Sequence, residues 1–180
     1  MRRILGTILR KCRFLRVRED GTATIEFVII FPVVVTLLVG SLEIGFYMAR
    51  TAFLDRSLEM NIRELRLGNL EPATHAQLAQ QICEDANFSG DCPNEVLIEL
   101  QPISTDDWNI PTSSISCVNR VDDIQPVVTF EVGQEDEIML VRACVVIEPI
   151  FGTTGYALGL PKEEGGGFLI SAASTFVNEP

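Results

Sequence analysis

From Phe27 to Ala49 the chain is apolar for about 23 residues and carries one charge, Glu43. As a helix this stretch spans ~35 Å, enough to cross a hydrocarbon core of roughly 30 Å. The helical period continues past it. Leu54, Leu58, Ile62 and Leu65 share one stripe, and Phe53, Met60 and Leu67 form a second. Asp55, Arg56, Glu59, Arg63 and Arg66 take the remaining face, with Glu59 and Arg63 at the favourable i,i+4 spacing. Two apolar stripes predict two contacts, one on a globular body and one open to another subunit. Gly68-Asn69 is a C-cap signal, so the spacing predicts one helix over 22–67, about 69 Å long.

After that helix the pattern shortens. Pro72 opens a second helical segment with Leu78 and Ile82 on its buried side, ending before Asn87-Phe88-Ser89-Gly90-Asp91. Val96, Ile98 and Leu100 then alternate as a strand. Val127 to Val132, the turn Gly133 to Glu137 and the run Ile138 to Ile150 read as a hairpin, and Phe168 to Val177 offers a last strand. Segments 101–126 and 151–167 are broken by Pro and Gly and read as loops. The layout is α+β: a single long N-terminal helix, a small helix and an antiparallel sheet. It divides into a basic leader over 1–21, the long helix over 22–67 with its span at about 27–49, and a domain over 68–180.

Charge gives the span a direction. Arg2, Arg3, Arg10, Lys11, Arg13, Arg16 and Arg18 precede the first acid, so a total of −11 leaves −18 (−11 − 7) on residues 19 to 180. Short basic flanks stay in the cytoplasm and send the acidic remainder across the membrane. A secretory signal would have an apolar core of only about 7 to 15 residues and a small-residue cleavage site; Phe46-Tyr47-Met48-Ala49-Arg50 is a poor one. A domain this acidic is repelled by nucleic acid and by anionic lipid surfaces. Within the span, Pro32 removes a backbone donor and predicts a kink or a melted turn. Gly40, Ser41 and Gly45 would allow close helix packing.

The inner border of the span carries the most specific spacing. Cutting after Gly21 would leave Thr22 as a new N-terminus, with Glu26 as the fifth residue and Phe27 as the sixth. That arrangement resembles the processing site of type IV prepilins. A carboxylate just inside an apolar span costs about 2 to 4 kcal/mol if unpaired, so it calls for a cation. The resemblance implies that the α-amine of a neighbouring subunit is that cation; the alternative is the headgroup zone with Arg18 or water. Asp20-Gly21-Thr22-Ala23-Thr24-Ile25-Glu26-Phe27, then Pro32 and Glu43-Ile44-Gly45, is similar to the TadE/TadG-like pseudopilins of the tight-adherence (Tad, Flp pilus) secretion system. The signature covers roughly 20 to 62, and Asn178-Glu179-Pro180 agrees with it. Phe27 stands where Flp-type pilins often have Tyr. The Asp-x-Ser-x-Ser motif of the larger TadG-like branch does not occur, so the resemblance is to the shorter, TadE-like branch.

The resemblance implies a minor pilin or pseudopilin, cut by a prepilin peptidase after Gly21. Its other partners would be Tad pseudopilins, the major pilin, the inner-membrane Tad assembly platform and membrane lipid, with Glu26, Pro32 and Glu43 as expected subunit contacts. The implied place is the bacterial inner membrane, single-pass, N-terminus cytoplasmic and C-terminal domain periplasmic, with entry into the fibre left open. For Glu43 the alternative is snorkelling to water. Cys83, Cys92, Cys117 and Cys144 would then meet an oxidising compartment and form disulfides. Three pairings are possible; Cys83–Cys92 with Cys117–Cys144 is favoured, worth about 2.7 and 3.6 kcal/mol in the chain-entropy description. No metal site is expected, because zinc spacings are missing and His75 is the lone histidine. Asp106-Asp107, Asp122-Asp123 and Glu163-Glu164 read as solvated turns. No catalytic motif and no cofactor motif is found, so no enzyme is expected. The competing reading is an uncleaved, single-span periplasmic binding or sensor module.

Overall fold

The computed structural model describes residues 22–70, 73–88, 91–106, 108, 110–111, 115–121, 125–151, 159, 162 and 166–179. The leader with Cys12 and Gly21, and also Pro72, Asp107, Asp122, Asp123, Glu163, Glu164 and Pro180, lie outside the described residues. Helix α1 spans Thr22–Arg66, 45 residues, or about 67 Å. It runs unbroken through Pro32, so the melted turn expected there does not form. Its end is a Schellman motif: Gly68 at φ 68° sends its N–H to the Leu65 carbonyl, and the Asn69 N–H reaches Glu64.

Helix α2, His75–Asp85, starts at an N-cap Thr74 whose hydroxyl accepts the Gln77 N–H at 3.3 Å. It ends as α1 does, with Asn87 at φ 52° and the Phe88 N–H on the Cys83 carbonyl at 3.2 Å. A one-turn helix α3, Cys92–Glu95, leads directly into strand β1, Val96–Pro102. Strands β2, Ile138–Ile147, and β3, Phe168–Val177, complete an antiparallel sheet in the order β1-β2-β3.

The two faces of the sheet differ. Val96, Ile98 and Leu100, Met139, Val141, Ala143 and Val145, and Phe168, Ile170 and Phe176 point to the helices and join Leu54, Leu58, Ile62, Leu65, Leu78 and Ile82 in one core. The other face carries Leu97, Cys144 and Val146, all buried, and the cross-strand pair Arg142–Glu99, whose Nε to Oε2 distance is 2.6 Å. Cys117–Cys144, with Cα atoms 5.3 Å apart, draws the irregular segment around buried Val118 onto this face. Cys83–Cys92, at 5.9 Å, ties the end of α2 to α3. Covered on both sides, β2 is buried almost throughout.

The expected hairpin between Val127–Val132 and β2 is not formed. Both edges of β2 are taken by β1 and β3 over seven and ten paired positions. Residues 127–132 instead touch the far edge of β1 at one parallel bridge, Leu100 to Phe130, through the Leu100 N–H on Thr129 and the Glu131 N–H on Leu100. Only Phe130 from this run packs on the core, while Val127 and Val132 are exposed. β1 and β3 bury far more apolar surface against β2, and alternation alone cannot rank the competitors.

His75 fixes the corner where α2 meets β1. Its Nε2 accepts the Ile98 N–H at 3.0 Å, and its ring meets Phe130 edge-on at 5.8 Å. Only the neutral imidazole can accept there. Burial lowers its pKa below the ordinary 6.5, and its place in the first turn of α2 acts in the same sense. The unfolded chain therefore takes up the proton at higher pH than the folded one. This contribution to stability is complete above about pH 6.5 and falls as pH drops from there toward the lowered folded value. Thermal unfolding between pH 7.5 and 5.5 should show a decline that His75→Gln flattens; parallel curves would refute the assignment.

The two stripes of α1 should separate cleanly. Leu58 is in the core and Met60 is exposed. Leu58→Ala should cost about 2–5 kcal/mol in denaturant unfolding, and Met60→Ala about 0.5 kcal/mol or less.

Candidate functional site

The side chains of α1 divide the helix by what covers them. From Ala23 to Leu38 every residue is exposed, among them Ile25, Phe27, Val28, Ile29 and Phe31. This is the one helix among the described residues long and apolar enough to cross a membrane. From Val39 onward one face is covered. Gly40 and Glu43 are buried, Tyr47 is half-buried, and the stripe then joins the core at Leu54. Hydropathy reads 27–49 as one apolar run, but about half of that run lies beside the folded domain.

At the inner end, Glu26 is exposed and has no partner among the described residues. Phe27 stacks on Phe31, ring centres 5.1 Å apart. Gly21 lies outside the described residues, and Thr22 is the first residue of α1. Pro32 is inside the helix, where its carbonyl accepts the Thr36 hydroxyl at 2.7 Å. Glu26, Phe27 and Pro32 thus occupy the bare part of the helix.

Glu43 differs from them. Expected at water or at a neighbouring subunit, it is 3% exposed within its own chain. Its carboxylate accepts the N–H groups of Phe151 at 2.7 Å and Ile150 at 3.2 Å. A buried carboxylate is tolerated when donors satisfy it, and here two successive amides do so just past the end of β2. One turn on, the Tyr47 hydroxyl donates to the Leu169 carbonyl at 3.2 Å, and its ring meets Phe168 edge-on. Arg50 donates to the Glu148 carbonyl at 2.9 Å. Glu43, Tyr47 and Arg50 therefore hold the edge formed by the end of β2 and the start of β3 to the helix by polar bonds. Arg120 closes the same region: it pairs with Glu95 at 2.7 Å and with Glu148, and these carboxylates raise its pKa despite its partial burial.

Higher on α1 the polar bonds turn to α2. Ser57 and Asn61 are buried on the core stripe. The Ser57 hydroxyl donates to the Ile82 carbonyl at 2.8 Å, and the Asn61 amide donates to Ser57 O and Asp85 Oδ2. Sequence reasoning missed both; two small polar residues four apart inside an apolar stripe were the available signal. Among the described residues no three His, Cys, Asp or Glu side chains converge as a metal site.

Residues 21–56 match the family described as TadE-like protein. Over that segment the chain is similar to TadE-like proteins. The match starts at Gly21 and includes Glu26, Phe27, Pro32 and Glu43, and it reaches the first core leucine, Leu54. No curated protein and no solved structure matches the chain. The matched segment thus unites the bare helix with the Glu43 clamp, the two parts of α1 that meet different surroundings.

The clamp can be checked directly. Glu43→Leu removes the acceptor of the part-buried Ile150 and Phe151 amides, a loss of about 0.5–1.5 kcal/mol or more for each bond. Hydrogen exchange at Ile150 and Phe151 should accelerate by about tenfold or more. Unchanged protection would show that the clamp contributes nothing.

Proposed function

We propose that this TadE-like chain is a minor pilin or pseudopilin of a Tad (Flp-type) pilus assembly system, cut by a prepilin peptidase after Gly21 and acting structurally in assembly, initiation or adherence. The observation that carries the reading is the family match over 21–56, on a helix whose first turns present an exposed Glu26 four residues after Thr22. Processing would place a new α-amine at Thr22. A neighbouring subunit's amine could then pair with Glu26, which a span exposed to lipid otherwise leaves uncompensated.

The same reading sets the depth of the anchor. The backbone of 148–151 lies beside Glu43, and loop backbone does not sit in hydrocarbon facing lipid. The lipid-embedded part then ends near Gly40 rather than Ala49. About 16 residues from Ala23 to Leu38 reach ~24 Å, and the turn that follows, from Val39 to Leu42, adds ~6 Å. Orientation follows from the basic leader, with the domain and its two disulfides on the periplasmic side of the inner membrane. Other pseudopilins, the major pilin and the assembly platform are the partners in this account.

Two variants separate the two jobs. Gly21→Val should block the peptidase and leave a chain heavier by the leader, seen on a gel. Glu26→Gln should mature normally and yet lose crosslinking to its pilin partners, because a neutral amide gives up the charge pairing. A Gly21→Val protein that matures at its usual size would sink the prepilin reading in favour of an uncleaved anchor. A Glu26→Gln protein that assembles like its parent would return Glu26 to an interfacial role.

A further inference from the structure

A groove of about 710 Å³ opens between α1, the end of α2 and the end of β2. Its apolar lining includes Phe46, 48% exposed, Ile150, 45% exposed, and Phe53 two turns further along α1. Ile150 is held at the level of Glu43 by its N–H. With the hydrocarbon ending near Leu42, the Cα atoms of Phe46 and Arg50 lie ~6 and ~12 Å above it. A headgroup layer is roughly 5 to 7 Å deep, and helical side chains lean toward the N-terminus, which here is toward the membrane. The groove therefore begins inside the headgroup layer of the periplasmic leaflet and rises above it.

The charged lining is unbalanced. Arg50 and Arg120 stand against Asp85, Asp91, Glu95 and Glu148, two guanidinium groups and four carboxylates, which leaves −2 (2 − 4). Arg120 is held by Glu95 and Glu148. Arg50 gives one N–H group to the Glu148 carbonyl at 2.9 Å, and its remaining donors have no acceptor among the described residues. The Glu148 side chain stays 70% exposed. Free guanidinium donors suit a phosphate, while the surplus carboxylates repel a bare anion and favour an ammonium group. Because Arg50 rests on the Glu148 backbone, both kinds of partner lie side by side.

We propose that this groove takes the headgroup of a zwitterionic phospholipid from the periplasmic leaflet, with its phosphate on Arg50, its ammonium against Glu148 and the neighbouring carboxylates, and the top of an acyl chain on Phe46 and Ile150. This rests on the reading of α1 as a membrane anchor whose embedded part ends near Leu42, and it adds a ligand of defined charge to that anchor. An anionic phospholipid brings the phosphate without the ammonium and meets the surplus of negative charge. A soluble phosphate ester lacks the apolar stem that the lower part of the groove covers.

The test uses full-length protein, purified in detergent with its disulfides formed and mixed with equal amounts of phosphatidylethanolamine and phosphatidylglycerol. Native mass spectrometry counts the bound lipid. One phosphatidylethanolamine per chain is expected, retained about tenfold over phosphatidylglycerol, and Arg50→Gln should lower that retention about tenfold. Arg50 also holds a carbonyl of the domain, so a second variant guards against misfolding: Ala49→Trp, at an exposed position in the lining, fills the groove without removing a bond and should lower retention as much. Equal retention of the two lipids, or retention that survives both variants, would mean surrounding lipid only and overturn the proposal. Displacement by soluble phosphoethanolamine at the same concentration would overturn it too, as would a second copy of the chain bound in place of lipid. Cleavage after Gly21 is read on a gel and does not enter these measurements, so failure here and failure of the pseudopilin reading are told apart.

Discussion

One carboxylate sets the geometry between anchor and domain. Glu43 sits where an apolar helix passes from bare to covered, and it is satisfied by two successive amides from the other end of the chain. A charge in that place is tolerable only while those donors stay. The end of β2 therefore cannot slide along α1 without exposing an unpaired group. Tyr47, Arg50 and Arg120 add neutral and ionic bonds around the same point, and the core of leucines begins immediately beyond it.

The helix then serves two kinds of packing with one unbroken backbone. Its core stripe is mostly apolar, but Ser57 and Asn61 interrupt it with hydrogen bonds to α2. Such bonds contribute little net stability, about 0.5–1.5 kcal/mol each, but leaving them unmade is costly. They select one register of α1 on α2, while the leucines provide the burial. On the opposite side Phe53, Met60 and Leu67 stay exposed.

Much of this was legible from spacing. The long helix, its end at Gly68, the buried positions Leu54, Leu58, Leu78 and Ile82, and the strands at 96–100 and 168–177 all follow from local period and turn chemistry. What was not legible depended on competition between distant segments. Val127–Val132 alternates like a strand, but β2 had two longer partners, and no local pattern reveals that both edges are occupied. Glu43 was read from hydropathy as interfacial, because nothing near it in sequence announces donors 107 and 108 residues away. His75 was noticed only as a lone potential ligand; its acceptor role needs the Ile98 amide, which only the fold brings to it.

The irregular segment held by Cys117–Cys144 has a consequence in time. The helices and the inner face of the sheet close on apolar contacts, with the Cys83–Cys92 bond joining α2 to α3 among them. Among the described residues no helix lies over the outer face of β2, and its cover is fastened through a covalent bond at the central strand. Each layer therefore carries one such bond, and both are locked only where thiols are oxidised. A chain kept in a reducing environment would leave both the end of α2 and the far side of its sheet unfastened.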